Sequence, residues 1–160
     1  MSTTRITALP GVPFIDITRE FDAPRDLIFR AHTDPDLLIQ WLGPRRLTMA
    51  VERYDVRDGG SWRYTHRDQD GTEFGFHGVF HGAPSPDSMV QTFEFEGAPG
   101  HVSLDAIKLE ERDGRTVLRG HSVFQSIEAR DAMVENGMDK GLDEGYQRLD
   151  ELVAKLVAVG

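Results

Sequence analysis

From Phe14 to Phe21, Phe14, Asp16 and Thr18 alternate with Ile15, Ile17 and Arg19, the two-residue period of a strand. Asp22 then stands where a helix N-cap is expected, and Pro24 occupies the first turn, where its missing donor costs least. Leu27, Ile28 and Ala31 give that short helix its apolar side. Thr33-Asp34-Pro35 opens a second short helix carrying Leu37, Leu38 and Trp41, which Gly43-Pro44 ends. From Leu47 to Phe124 the pattern is β throughout, cut by turn signals at Asp58-Gly59-Gly60, Asp70-Gly71, Gly82 to Pro86, Gly97 to Gly100 and Asp113-Gly114 into about six strands. Trp62, Tyr64 and His66 share one face of one of these strands. Phe74, Phe76 and Phe80, with Gly78 between them, share a face of the next, and Phe93 and Phe95 of the one after. Arg63, Arg67, Glu73, Glu94 and Glu96 take the opposite phase, as in an antiparallel sheet with one wet face. Between His101 and Glu111 the apolar phase slips from Val102/Leu104 to Ile107/Leu109, which predicts a bulge near Asp105-Ala106 or burial on both faces.

The last segment, Glu128 to Val157, reads as one long amphipathic helix, with Val134, Met138, Leu142, Leu149, Leu152, Val153 and Leu156 on one face. Gly137, Gly141 and Gly145 recur along its flank. Each interior glycine forgoes about 1 kcal/mol relative to alanine, so the missing volume has a use: a close backbone approach or room for a cavity. A break near Gly137 is the simpler alternative. A curved antiparallel sheet must cover its aromatic face, and this helix is the only predicted element long enough to do so. The expected fold is α+β, a seven-stranded antiparallel sheet with two short helices and a long C-terminal helix over its concave face. The expected organisation is a flexible N-terminal leader over residues 1–13 and a single domain over 14–157.

Composition changes this picture little. The 160 residues suit one domain, and 39% hydrophobic with 28% charged residues is the balance of a globular protein. A net charge of −9 argues against nucleic acid and anionic membrane surfaces as partners. No run of residues reaches a membrane-spanning length, and the absence of cysteine removes disulfides and thiolate metal sites, so a cytoplasmic location is the default expectation. His77 and His81 have a spacing that suits a metal on a helix. In a strand they lie about 13 Å apart at about 3.3 Å per residue, too far to share an ion. Asp68 and Asp70 lack the remaining ligands of a calcium loop, and no nucleophile elbow, phosphate loop or dinucleotide fingerprint is present. We therefore expect no metal, no cofactor and no catalytic residue of these types.

Several stretches resemble the Bet v I-like (START-like, SRPBCC) superfamily. Within it the chain is similar to the bacterial branch related to the C-terminal domain of the activator of Hsp90 ATPase. The stretches are Phe21-Asp22-Ala23-Pro24 with Ile28-Phe29-Arg30-Ala31, Thr33-Asp34-Pro35, Trp41-Leu42-Gly43-Pro44 and Gly59-Gly60-Ser61-Trp62-Arg63-Tyr64. They continue in Phe74 to Phe80, in Pro84 to Pro86 ahead of Val90-Gln91-Thr92-Phe93, and in Gly141 with Leu149 and Leu152. Two positions depart from the pattern: His32 replaces a Trp before the Thr-Asp-Pro turn, and Gly141-Leu142 replaces Gly-Trp.

The resemblance implies a helix-grip fold used for ligand binding, cyclisation or partner binding. Joined to the glycine-notched helix and the aromatic face, it leads to an expected hydrophobic small-molecule site between sheet and helix. Its expected lining is Trp41, Trp62, Tyr64, His66, Phe76, Phe80, Phe93, Phe95, Met138, Gly141, Leu142 and Gly145. His66 suits hydrogen bonding to a ligand oxygen or, in a polyketide cyclase/dehydratase-like enzyme, acid/base chemistry. The noncatalytic reading leads. A chaperone partner is implied by the family label alone, and the protein is expected as a monomer or homodimer.

Overall fold

The computed structural model describes residues 3–159. Eight antiparallel strands form one sheet in the order β1-β2-β8-β7-β6-β5-β4-β3. They are β1 (Arg5–Thr7), β2 (Phe14–Phe21), β3 (Thr48–Tyr54), β4 (Ser61–Arg67), β5 (Glu73–Ser85), β6 (Ser88–Phe95), β7 (Val102–Arg112) and β8 (Arg115–Val123). The strand beyond the seven expected is β1, which pairs with β2 from Arg5 opposite Thr18 to Thr7 opposite Asp16, inside the segment read as a leader.

Helices α1 (Arg25–Thr33) and α2 (Pro35–Leu38) lie between β2 and β3. Asp22 does not cap α1: Pro24 holds that position without a side-chain bond, and Asp22 instead accepts from Arg115 Nε at 2.6 Å. Asp34 does cap α2, its Oδ1 accepting from the Asp36 amide at 2.9 Å. The segment read as one long helix is two, α3 (Ile127–Glu135) and α4 (Met138–Val159). The break falls at Gly137, whose φ of +85° is left-handed and strained for any residue with a Cβ.

Alternation places Ile15, Ile17, Arg19 and Phe21 of β2 on the helix-covered face, beside Leu118 and Thr116 of β8 and Leu109 of β7. With Leu149, Leu152 and Val153 of α4, Ile28 and Ala31 of α1, and Trp41, they make the main core. Arg19 is buried with them. Its guanidinium donates to Asp150 Oδ2 at 2.7 Å and lies 5.1 Å from the Phe21 ring centroid. A second cluster centres on Trp62, Tyr64 and Phe80 at the other end of the sheet. The outer face carries the expected charges, including Arg63 bonded twice to Glu96 at 2.8 Å and once to Glu52 at 2.6 Å. His77 belongs there too, its Nδ1 2.9 Å from Glu96.

The register of β7 is continuous against both neighbours, so there is no bulge at Asp105-Ala106. Nor is the segment buried on both faces. Leu104 lies opposite Val123 on the outer face, exposed, while Ser103 and Asp105 point inwards with Ile107 and Leu109. The slip of apolar phase marks an exposed leucine and an inward-facing acid.

Candidate functional site

The aromatic end of the sheet brings most of the expected residues together. Trp62 stacks on Tyr64 with centroids 5.1 Å apart and planes 17° apart, and Phe93 lies 6.0 Å from Trp62. Phe76 stands 5.5 Å from Tyr64, 5.4 Å from Phe93 and 5.2 Å from Phe95. Phe80 closes the end, with Tyr54 edge-on to it at 5.6 Å. Gly78 makes the flat packing possible, since a Cβ there would overlap the Thr92 carbonyl and come within 2.6 Å of Trp62 Cζ2.

His66 ends this row, 5.3 Å from Tyr64 and 5.5 Å from Phe76. Burial, assisted by the Arg148 charge, lowers its pKa to about 4, so the ring is neutral at physiological pH. Its Nε2 is buried without a hydrogen-bond partner, as is Trp62 Nε1. Leaving such a group unpaired costs about 1–3 kcal/mol; two of the three such nitrogens among the described residues stand on this aromatic wall, the third being His32 Nε2 in the main core. The imidazole packs on Gly43, whose φ of +97° and lack of a Cβ let the ring lie there.

Helix α4 packs on the main core and meets the loop from Trp41 to Pro44, which lies against His66, unevenly. A Cβ on Gly145 would stand 3.2 Å from the Gly43 amide nitrogen and 3.3 Å from the Trp41 carbonyl oxygen, so this glycine serves close approach of two backbones. Arg148 ties the same loop down, donating to the carbonyls of Gly43 at 3.2 Å and Gln40 at 3.1 Å. One turn earlier, a Cβ on Gly141 would meet only Pro44 Cδ, at 3.8 Å, so space remains there. Met138 and Leu142 are half-buried and pack towards the main core. Trp41 is set apart from the aromatic wall. It is fully in the main core, stacked 6.0 Å from Tyr146 and edge-on to His32 at 4.8 Å, with its indole N–H donating to the Ala31 carbonyl at 3.0 Å. His32, which occupies the position of the expected Trp, is buried and neutral: desolvation lowers its pKa to about 4.

Two shallow depressions lie elsewhere. One, of about 310 Å³, is on the outer face around Asp16, Lys108, Arg119 and His121, and the other, of about 380 Å³, lies along β3 beside Pro35 and Ile39. Two inward-facing groups are not legible in the sequence pattern: Tyr146, which joins Phe21 and Trp41 in the main core and stands outside the aliphatic periodicity of α4, and Asp105, which faces inwards against the apolar phase of β7. Among the described residues no three His, Asp or Glu side chains gather as a metal site, and no helix is long and apolar enough to cross a membrane.

The same architecture recurs in solved structures. A protein from Rhodobacter sphaeroides is 25% identical with a TM-score of 0.87, covering 95% of this chain and 99% of its own. One from Arthrobacter aurescens is 27% identical with a TM-score of 0.87, covering 94% and 91%. The AHSA1 protein from Silicibacter pomeroyi shares the fold at 20% identity and a TM-score of 0.71, covering 88% and 97%. No curated protein matches the chain significantly. The model of the family described as Activator of Hsp90 ATPase homolog 1-like protein matches residues 22–154, from the end of β2 through most of α4, and the chain belongs to that family.

Proposed function

We propose that this domain binds an apolar small molecule between the aromatic end of the sheet and the first half of α4. The observation that carries the reading is the pair of buried, partnerless nitrogens, Trp62 Nε1 and His66 Nε2, on a wall otherwise made of stacked rings. An apolar ligand bearing one or two polar atoms would cover the rings and satisfy these groups at once. Gly141 adds to the reading, because the helix leaves room where a side chain would otherwise stand. A catalytic role for His66 is the weaker form of the same site: with a pKa of about 4 the imidazole is a poor base near neutrality.

The test is a nitrogen-proton NMR titration of the two indole N–H signals with ethylnaphthalene. Trp62 should move and Trp41, already bonded to Ala31, should not. A titration in which neither signal moves, or in which only Trp41 does, would reject the site.

A second reading, a protein-interaction module, is favoured by Leu104 and Val123, opposite each other on the outer face and exposed at 45% and 36%, with Ile127 nearby at 38%. The family description suggests a chaperone ATPase as the partner. An unchanged Hsp90 ATPase rate with the domain in excess would remove that partner.

A further inference from the structure

The inner face of the sheet is divided. Around Ile15, Leu109 and Leu118 it is fully occluded, each residue having no accessible surface. Around Gln91, Phe93, Asp105 and Ile107 the side chains also point inwards by register, yet each keeps part of its surface open. These half-open residues border the aromatic wall, since Gln91 pairs with Phe80 on one side and with Asp105 on the other. Asp105 in turn lies opposite Ser122 of β8, so a polar row, Gln91-Asp105-Ser122, crosses three strands between the two apolar clusters.

A carboxyl in such a place needs partners. Ser103 Oγ donates to Asp105 Oδ1 at 3.1 Å, and Ser122 provides a second hydroxyl. A carboxylate offers about four acceptor sites, and each serine hydroxyl can donate to one, so about half its capacity is unused. Burial pushes its pKa up and the two serines pull it down. Among the described residues no Arg, Lys or His forms an ion pair with it. A half-buried carboxyl with hydrogen-bond capacity to spare and no counter-charge favours an incoming donor, above all a cationic one, because the pair would then be charge-assisted.

We propose that Asp105, held by Ser103 and Ser122 beside Gln91, is the polar anchor of the proposed ligand site, and that it selects apolar ligands carrying a protonated amine. This rests on the small-molecule reading above. The amine would sit against Asp105 while the apolar body lies over Phe93 and Phe76.

The test compares three probes that share one ring system, naphthylethylamine, ethylnaphthalene and naphthylacetic acid, by calorimetry on the whole chain and on Asp105→Asn. The amine should bind the wild type about tenfold or more tightly than the hydrocarbon, as expected for a hydrogen bond to a charged group, and the acid should bind worst. Asp105→Asn should remove the advantage of the amine over the hydrocarbon. Equal affinity for amine and hydrocarbon in the wild type overturns the anchor while the small-molecule reading stands, and absence of binding by all three overturns both. The wild-type comparison decides even where the Asn variant fails to fold.

Discussion

Gly141 and Gly145 are one turn apart on the same helix, and the structure assigns alanine opposite effects at the two. At either position alanine gains about 1 kcal/mol of helix propensity. At Gly141 nothing opposes it, since the new Cβ would make one ordinary contact, 3.8 Å from Pro44 Cδ. Gly141→Ala should therefore stabilise by about 0.5–1 kcal/mol, raising Tm by roughly 1–4 °C for a domain of this size. At Gly145 the Cβ would stand 3.2 Å from the Gly43 amide nitrogen and 3.3 Å from the Trp41 carbonyl oxygen, both backbone atoms. That loop cannot give way easily. Arg148 holds the Gly43 carbonyl from α4, and the His66 ring packs against Gly43 from the sheet side. Overpacking of this kind costs about 1–3 kcal/mol, which offsets or exceeds the propensity gain, so Gly145→Ala should be neutral to about 2 kcal/mol destabilising. Urea unfolding of the two variants beside the wild type, read by circular dichroism, measures both changes. Equal stabilisation by the two substitutions would refute the assignment of Gly145 to close backbone approach, because propensity alone would then account for both.

Acid should destabilise the fold through two histidines. His32 and His66 ionise near 6.5 when unfolded and at about 4 when folded, so the unfolded chain takes up protons first. Their contribution is complete above about pH 6.5 and is lost as pH falls towards 4, by up to about 3 kcal/mol each. Unfolding of His32→Gln across that range should show a shallower slope than the wild type, and an unchanged slope would remove His32 from the account. Asp150→Ala should destabilise by about 2–4 kcal/mol, because it leaves the buried Arg19 guanidinium without its carboxylate, whereas Asp150→Asn should recover part of the loss. An Asp150→Ala variant as stable as the wild type would show that the remaining bonds of Arg19 to Thr4 and the Glu20 carbonyl suffice.

The alternating pattern and the turn residues sufficed for six strands between Leu47 and Phe124, the short helices, and the face shared by Trp62, Tyr64 and His66, because period and turn chemistry are local properties of the chain. The family pattern, spread from Phe21 to Leu152, was legible for the same reason. Three features depended on partners distant in sequence. Arg5–Thr7 becomes a strand only because the edge of β2 offers it a partner. Gly145 and Gly141 look alike in the sequence, and only the position of the Gly43 loop makes one a backbone contact and the other open space. On β7, apolar periodicity pointed Leu104 inwards, but pairing with β6 and β8 turned Asp105 inwards instead. A strand's inner face is chosen by the summed registers of its neighbours, and a single inward acid is tolerated where two serines from adjoining positions can bond to it.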